Sequence, residues 1–241
     1  MTSLPPHEVR RLRSVASDDR AFDDLAARRA GGEPLQYLEG TAAFGPFDLV
    51  VDDRVLIPRP ETEGLWELAA GAVTDPRLVL DLCTGSGALA IALSASYPEA
   101  RVIGTDISSE ALTVARENGL RHAPAVEWVL GDLFDALDAQ LAGAFDLIVA
   151  NPPYVASSEW ARLPDDVRRE PRLALVSGPT GLEVLRRIAS ESSAWLASGG
   201  VVVCEIGETQ SDSVRDVFDG FASVEIRPDL QGRDRYVVAG T

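Results

Sequence analysis

From Arg77 onward the chain alternates between two periodicities, and this restricts its fold more than any other feature. Apolar runs at 77–82, 101–106, 125–130, 145–150, 200–206, 222–227 and 235–239 read as strands. Between them, segments at 87–96, 108–118, 133–141, 180–196 and 210–219 carry apolar residues at helical spacing. Strands joined through helices run parallel in one sheet, with helices on both faces. The link between the last two strands, Arg227 to Asp234, is too short for a parallel crossover, so that pair is antiparallel. Open α/β sheets bind ligands outside the carboxyl ends of their strands. Polar residues at those ends therefore carry the functional reading.

Residues 1–72 read as a short helical segment, a β-hairpin and a proline-rich connector, ahead of an α/β domain at 73–241. Pro5 and Pro6 suit the first turn of a helix bearing Val9, Leu12, Val15 and Ala16. Ser17 or Asp18 then caps a second helix that ends at Gly31-Gly32. Residues 32–40 read as an ordered connector. Residues 41–57 read as a hairpin with its turn at Asp52-Asp53. The prolines of Ile57-Pro58-Arg59-Pro60 hold the backbone extended before a helix from Glu61 to Ala72. This stretch is either a braced linker or a support presenting Arg59 and Thr62 at the rim of a site.

The balance of charge narrows the ligand. A formal net charge of −16 disfavours long nucleic acid, whose binding needs a basic surface. All 22 basic residues are Arg, which excludes a lysine nucleophile and a P-loop. Cys83 and Cys204 read as free thiols of a cytoplasmic protein, and without a Cys/His cluster no metal site is expected. No run approaches a membrane span, so no membrane partner is expected.

Three strand ends carry a small-molecule signal. Asp81-Leu82-Cys83-Thr84-Gly85-Ser86-Gly87 closes the first strand and opens a helix. Glycines allow a tight turn and close approach, and the helix N-terminus offers free N–H groups. Asp81, ahead of the turn, suits a ligand with an amino group better than a pyrophosphate. Asp106 ends the second strand, where a carboxylate accepts the hydroxyls of a ribose or caps the next helix. Asp132 follows the third strand, where it accepts from an exocyclic amine or caps a turn, with Leu133 or Phe134 packing on the base. Amino acid, ribose and base in that order describe S-adenosylmethionine, and the sheet is then a seven-stranded, Rossmann-like class I methyltransferase sheet.

Asn151-Pro152-Pro153-Tyr154 follows the fourth strand. The nitrogen of a planar amide or aryl amine has a delocalised lone pair and must be held in line with the methyl donor. Asn151 Oδ1 and a proline carbonyl can each accept one N–H, the prolines stiffen the loop, and Tyr154 can wall the acceptor plane. Positioning of this kind lowers a barrier by on the order of 7–11 kcal/mol.

The tetrapeptide resembles that of amino-methyltransferases acting on adenine or on glutamine. Further blocks resemble the protein-(glutamine-N5) methyltransferases of peptide-chain release factors. These are Gly32-Glu33-Pro34 with Tyr37 and Gly40; Leu56-Ile57-Pro58-Arg59-Pro60-Glu61-Thr62-Glu63; Glu170-Pro171-Arg172-Leu173-Ala174-Leu175 with Gly178 and Gly181-Leu182; Glu205-Ile206-Gly207 with Gln210; and Asp229-Leu230-Gln231-Gly232-Arg233-Asp234-Arg235. The resemblance spans roughly residues 32–239. It implies methylation of the glutamine in a Gly-Gly-Gln motif, with a release factor as protein partner. It implies cofactor contacts from Cys83 to Gly87 and at Asp106, with Leu133 where the family often has an aromatic. It places the substrate glutamine at Asn151 to Tyr154, and Arg59 falls in a matching block. Two departures stand out: Cys83 replaces a common glycine, and only about thirty residues precede the Gly-Glu-Pro block, where the family usually has a longer helical domain. The alternatives are an N6-adenine methyltransferase, or an amide methyltransferase with another protein substrate.

Overall fold

The computed structural model describes residues 4–241. The chain begins with helices α1 (Pro6–Val15), α2 (Asp19–Ala30) and α3 (Leu35–Glu39). A proline stands in the first turn of α1, and the Asp18 carboxylate caps α2 by accepting from Ala21 N at 2.8 Å. Leu12, Leu35 and Leu38 bury a small cluster of their own. A hairpin of β1 (Thr41–Phe44) and β2 (Phe47–Val50) follows, then α4 (Pro60–Ala72).

The alternating region gives β3 (Leu78–Leu82), α5 (Ala88–Ser96), β4 (Arg101–Asp106), α6 (Ser109–His122), β5 (Glu127–Leu130) and β6 (Phe145–Ala150). After these come α7 (Arg172–Leu175), α8 (Glu183–Trp195), β7 (Leu196–Glu205), α9 (Ser211–Val217), β8 (Ser223–Pro228) and β9 (Asp234–Gly240). The sheet order is β5-β4-β3-β6-β7-β9-β8, parallel except for β9, which is antiparallel to both β7 and β8. Phe145, Leu147, Ile148, Val149 and Ala150 of β6 are all buried, as expected of a strand covered on both faces. One face packs Leu185 and Ile188 of α8 and Val214 of α9. The other packs Leu65 and Ala69 of α4, Ile91 and Leu93 of α5, and Phe44 and Leu49 of the hairpin. The hairpin and α4 thus share a core with the sheet.

Two placements position the site. The chain runs outward from β3 through β4 to β5, then returns to β6 on the other side of β3. The carboxyl ends of β3 and β6 therefore meet at the point where strand order reverses, the ligand crevice of such sheets. Second, the fully buried Asn118 of α6 ties the hairpin to the turn after β3. Its Oδ1 accepts from Val50 N at 2.7 Å, and its Nδ2 donates to Val50 O at 3.0 Å and Ser86 O at 2.9 Å.

Several boundaries differ from the sequence reading. The hairpin turns at Gly45-Pro46, not at Asp52-Asp53. Gly45 has φ +52°, and a Cβ there would stand 2.8 Å from the Trp66 ring, so glycine and Trp66 select that turn. Val55–Ile57 pair with no strand among the described residues, because side chains take up part of their backbone: Tyr37 Oη donates to Val55 O at 2.6 Å, and Ile57 N donates to Glu170 Oε2 at 2.9 Å. The stretch 133–141 forms two 3₁₀ turns, 133–136 and 139–141, in place of an α-helix; Leu133 at φ +51° bars a regular first turn. The connector at 32–40 contains α3, and β7 begins at Leu196, directly after α8.

Candidate active site

A cavity of about 300 Å³ opens where β3 and β6 end. Residues 83–86, Asp106, Leu133, Asn151 and Pro153 are among its walls. The turn is shaped by backbone. Cys83, Gly85 and Gly87 have φ of +58°, +55° and +85°. Thr84 N donates to Thr105 O at 2.9 Å, and Gly87 N donates to Thr84 O at 2.8 Å. Cys83 thus occupies the left-handed region that favours glycine, which accounts for the glycine common there in the family it resembles. Burial, with the carboxylates of Asp106 and Asp81 nearby, raises its thiol pKa and keeps it neutral.

Asp81 does not line the cavity. It is fully buried behind the turn, where Oδ2 accepts from Thr84 Oγ1 at 2.5 Å and from Ala90 N at 3.1 Å. Burial pushes its carboxyl up to about 7, against those two hydrogen bonds. The expected contact with an amino group is therefore replaced by a buttress that joins the turn to the first turn of α5. Its Oδ1 has no hydrogen-bond partner among the described residues.

Asp106 stands at the cavity wall. Oδ2 accepts from Gly85 N and Oδ1 from Ser108 N, each at 2.9 Å. Each oxygen keeps a lone pair for a further donor such as a hydroxyl. Burial raises its pKa against these bonds. Ala88 and Leu89 bring to the cavity a helix start whose first N–H groups have no intrahelical acceptor. Leu133, Ile107 and Val184 supply an apolar wall. Phe134 turns away and stacks on Trp195 in the core, at 5.8 Å between centroids. Asp132 reaches the cavity, and its Oδ2 is paired with Arg187 Nη1 at 2.7 Å. A carboxylate with spare lone pairs, free helix N–H groups and an apolar slot with an acceptor fit an amino acid, ribose and base joined together.

The acceptor end is made of side chains from distant segments. Asn151 Nδ2 donates to Thr62 Oγ1 at 3.0 Å, and Thr62 Oγ1 donates to Glu205 Oε2 at 3.0 Å. Tyr154 Oη donates to Glu205 Oε1 at 3.2 Å. No group among the described residues donates to Asn151 Oδ1. Gln210 Nε2 donates to Tyr154 O at 3.0 Å. A Cβ on Gly181, whose φ is +80°, would lie 2.4 Å from that same oxygen. The next residue, Val155, forms a parallel bridge with Val176.

Of the tetrapeptide, Asn151 and Pro153 line the cavity, whereas Pro152 and Tyr154 do not. Pro152 is buried, and the Tyr154 hydroxyl is committed to Glu205, so Tyr154 braces the loop rather than walling the acceptor. Arg59 also turns away from the cavity and pairs with the buried Glu170 carboxylate. Thr84, Gly85 and Ser86 line the cavity, and Gly87 caps α5 beside it. The sequence reading missed the roles of Glu205, Glu170 and Gln210. All three lie in blocks that resemble the release-factor enzymes, but no local spacing connects them to Asn151.

Known proteins share this fold. A methyltransferase-domain family matches residues 79–170. The release factor glutamine methyltransferase of Deinococcus radiodurans is 42% identical over 227 residues, covering 92% of this chain and 80% of that protein. The one from Mycolicibacterium smegmatis is 44% identical over 225 residues, covering 91% and 79%. Among solved structures, the hMettl16 catalytic domain superposes with a TM-score of 0.63 at 20% identity, covering 98% of this chain and 91% of that chain. A methyltransferase from Pyrococcus furiosus gives 0.61 at 17% identity, covering 90% and 98%. These two structures share the fold of the sheet. With this sheet, this crevice and relatives above 40% identity along most of its length, the chain belongs to the release factor glutamine methyltransferase family.

Proposed function

We propose that this protein transfers a methyl group from S-adenosylmethionine to the side-chain amide nitrogen, N5, of the glutamine in a release factor's Gly-Gly-Gln motif. The bound cofactor supplies an electrophilic methyl group on a sulfonium. Asp106 holds the ribose hydroxyls, the first turn of α5 faces the amino-acid carboxylate, and Leu133 with Asp132 receives the base. Asn151 Oδ1 accepts one N–H of the substrate amide, and a proline carbonyl of the tetrapeptide accepts the other. The amide nitrogen is thereby turned toward the donor. It gains the methyl carbon as the carbon–sulfur bond breaks, then loses a proton to water. The site needs hydrogen-bond acceptors and no strong base.

The observation that carries this reading is the orientation of Asn151. Its Nδ2 is committed to Thr62, which leaves a carbonyl oxygen for an incoming N–H₂. The test is mass spectrometry of a release factor incubated with enzyme and S-adenosylmethionine. One added methyl on the Gly-Gly-Gln glutamine is expected. An unmodified glutamine beside active, cofactor-bound enzyme would overturn the proposed substrate.

A further inference from the structure

An asparagine side chain has two ends of nearly equal size, and only one of them can accept from an N–H₂. Something must choose which end faces the substrate. The partners of Asn151 identify it. Thr62 has a single hydroxyl proton, and Glu205 as a carboxylate can only accept. Both Glu205 oxygens receive donors, Thr62 Oγ1 at 3.0 Å and Tyr154 Oη at 3.2 Å. The Thr62 proton is therefore committed to Glu205. Its oxygen can then only accept from the residue on its other side, and that residue is Asn151, 3.0 Å away.

We infer that Glu205 is a positioning residue that sets the polarity of the acceptor clamp: through the Thr62 hydroxyl it holds the Asn151 amide with its oxygen toward the substrate, so the site takes an N–H₂ and rejects a carbonyl. The inference deepens the proposed function and rests on its assignment of Asn151 to the substrate amide. Glu205 touches no reacting atom. It acts through two hydrogen bonds, and replacing either link releases the far end.

The relay has a condition. A protonated Glu205 can donate to Thr62, which frees the Thr62 proton to turn toward Asn151 and favours the flipped amide. Burial is the largest influence on Glu205 and pushes its carboxyl up to about 7, while the hydrogen bonds from Thr62 and Tyr154 oppose that rise. Arg235 of β9 also favours the ionised form, and Glu61 of α4 disfavours it. Tyr236 of β9 lies within range of the same charge. The clamp is set above about pH 7 and loses its polarity below it.

Two measurements test this. The first compares Thr62→Val with Thr62→Ser in the methylation assay. Loss of the hydroxyl should lower kcat roughly 10- to 100-fold with the KM for S-adenosylmethionine little changed, and serine should restore most of the rate. Wild-type kcat should fall below about pH 7, and Glu205→Gln should lack that break. The second measurement needs no substrate: the Asn151 side-chain N–H₂ resonance of the intact protein, assigned by its absence in Asn151→Ala. It should shift with a midpoint near the Glu205 titration in wild type and stay flat in Thr62→Val. Equal rates for the Val and Ser variants, or an Asn151 resonance that titrates unchanged without the Thr62 hydroxyl, would overturn the relay. A wild-type enzyme that leaves the release factor unmethylated while the resonance still titrates through Thr62 would instead overturn the substrate and keep the relay.

Discussion

The two ends of the crevice are built differently. At the cofactor end, five consecutive residues, Cys83 to Gly87, make a turn whose shape lies in the backbone, with three of the five at positive φ. Its main side-chain anchor, Asp106, is 21 residues away. At the acceptor end, the tetrapeptide itself has no residue at positive φ, and the side chains carry the design. Asn151 meets Thr62 across 89 positions, and Thr62 meets Glu205 across 143. A site made of backbone is written in one stretch of sequence. A site made of a side-chain relay exists only once the fold has brought its parts together.

This contrast can be pressed by substitution. The largest effect is expected at Asn151→Ala, which removes an acceptor that the backbone cannot replace. kcat should fall about 10²- to 10³-fold, and cofactor affinity by titration calorimetry should change far less. Comparable losses in both would mean that the two ends are one unit.

Next is Asp81→Asn, which separates the buttress from the cavity. A carboxyl raised to about 7 from its ordinary 3.8 favours the fold while it is neutral. That contribution is complete below about pH 4, declines as pH rises through 7, and is absent above. The variant lacks this decline. Its stability relative to wild type should improve between pH 4 and pH 8 by roughly 3–4 kcal/mol, read by urea denaturation at both values. A constant difference would show that Asp81 is ionised throughout.

Gly181→Ala tests whether the acceptor end tolerates any change of backbone. The added Cβ enters the space of the Tyr154 carbonyl at a φ that costs an L-residue energy, and the fold should lose about 3 kcal/mol. The smallest effect is expected at Cys83→Gly. Relief of the left-handed strain is offset by a more flexible unfolded chain, so stability should stay within about 1 kcal/mol of wild type.

The same contrast explains what could be read in advance. All seven sheet strands, the antiparallel last pair and the Asp18 cap follow from periodicity and local chemistry. So does the placement of Thr84, Gly85, Ser86 and Asp106 at one cavity. Errors arose where tertiary contacts override local pattern. Val55–Ile57 has the composition of a strand, but Tyr37 and Glu170 take its backbone groups. Asp81 has the right position for a ligand contact, but its carboxyl is used from behind. Arg59 and Tyr154 look available until Glu170 and Glu205 engage them. Glu170 lies 113 residues from Ile57 and 111 from Arg59, and Glu205 lies 51 from Tyr154, separations that no spacing rule covers.

Asn118 adds a mechanical consequence. One amide grips both backbone groups of Val50 and the carbonyl of Ser86, so hairpin and cofactor turn form one mechanical unit. If either loosens by itself, a buried amide hydrogen or carbonyl is left unsatisfied, at about 1–3 kcal/mol. Fraying of the hairpin therefore makes relaxation of the Ser86 turn easier by up to that amount, and an outer β-ribbon bears on the stiffness of the crevice floor.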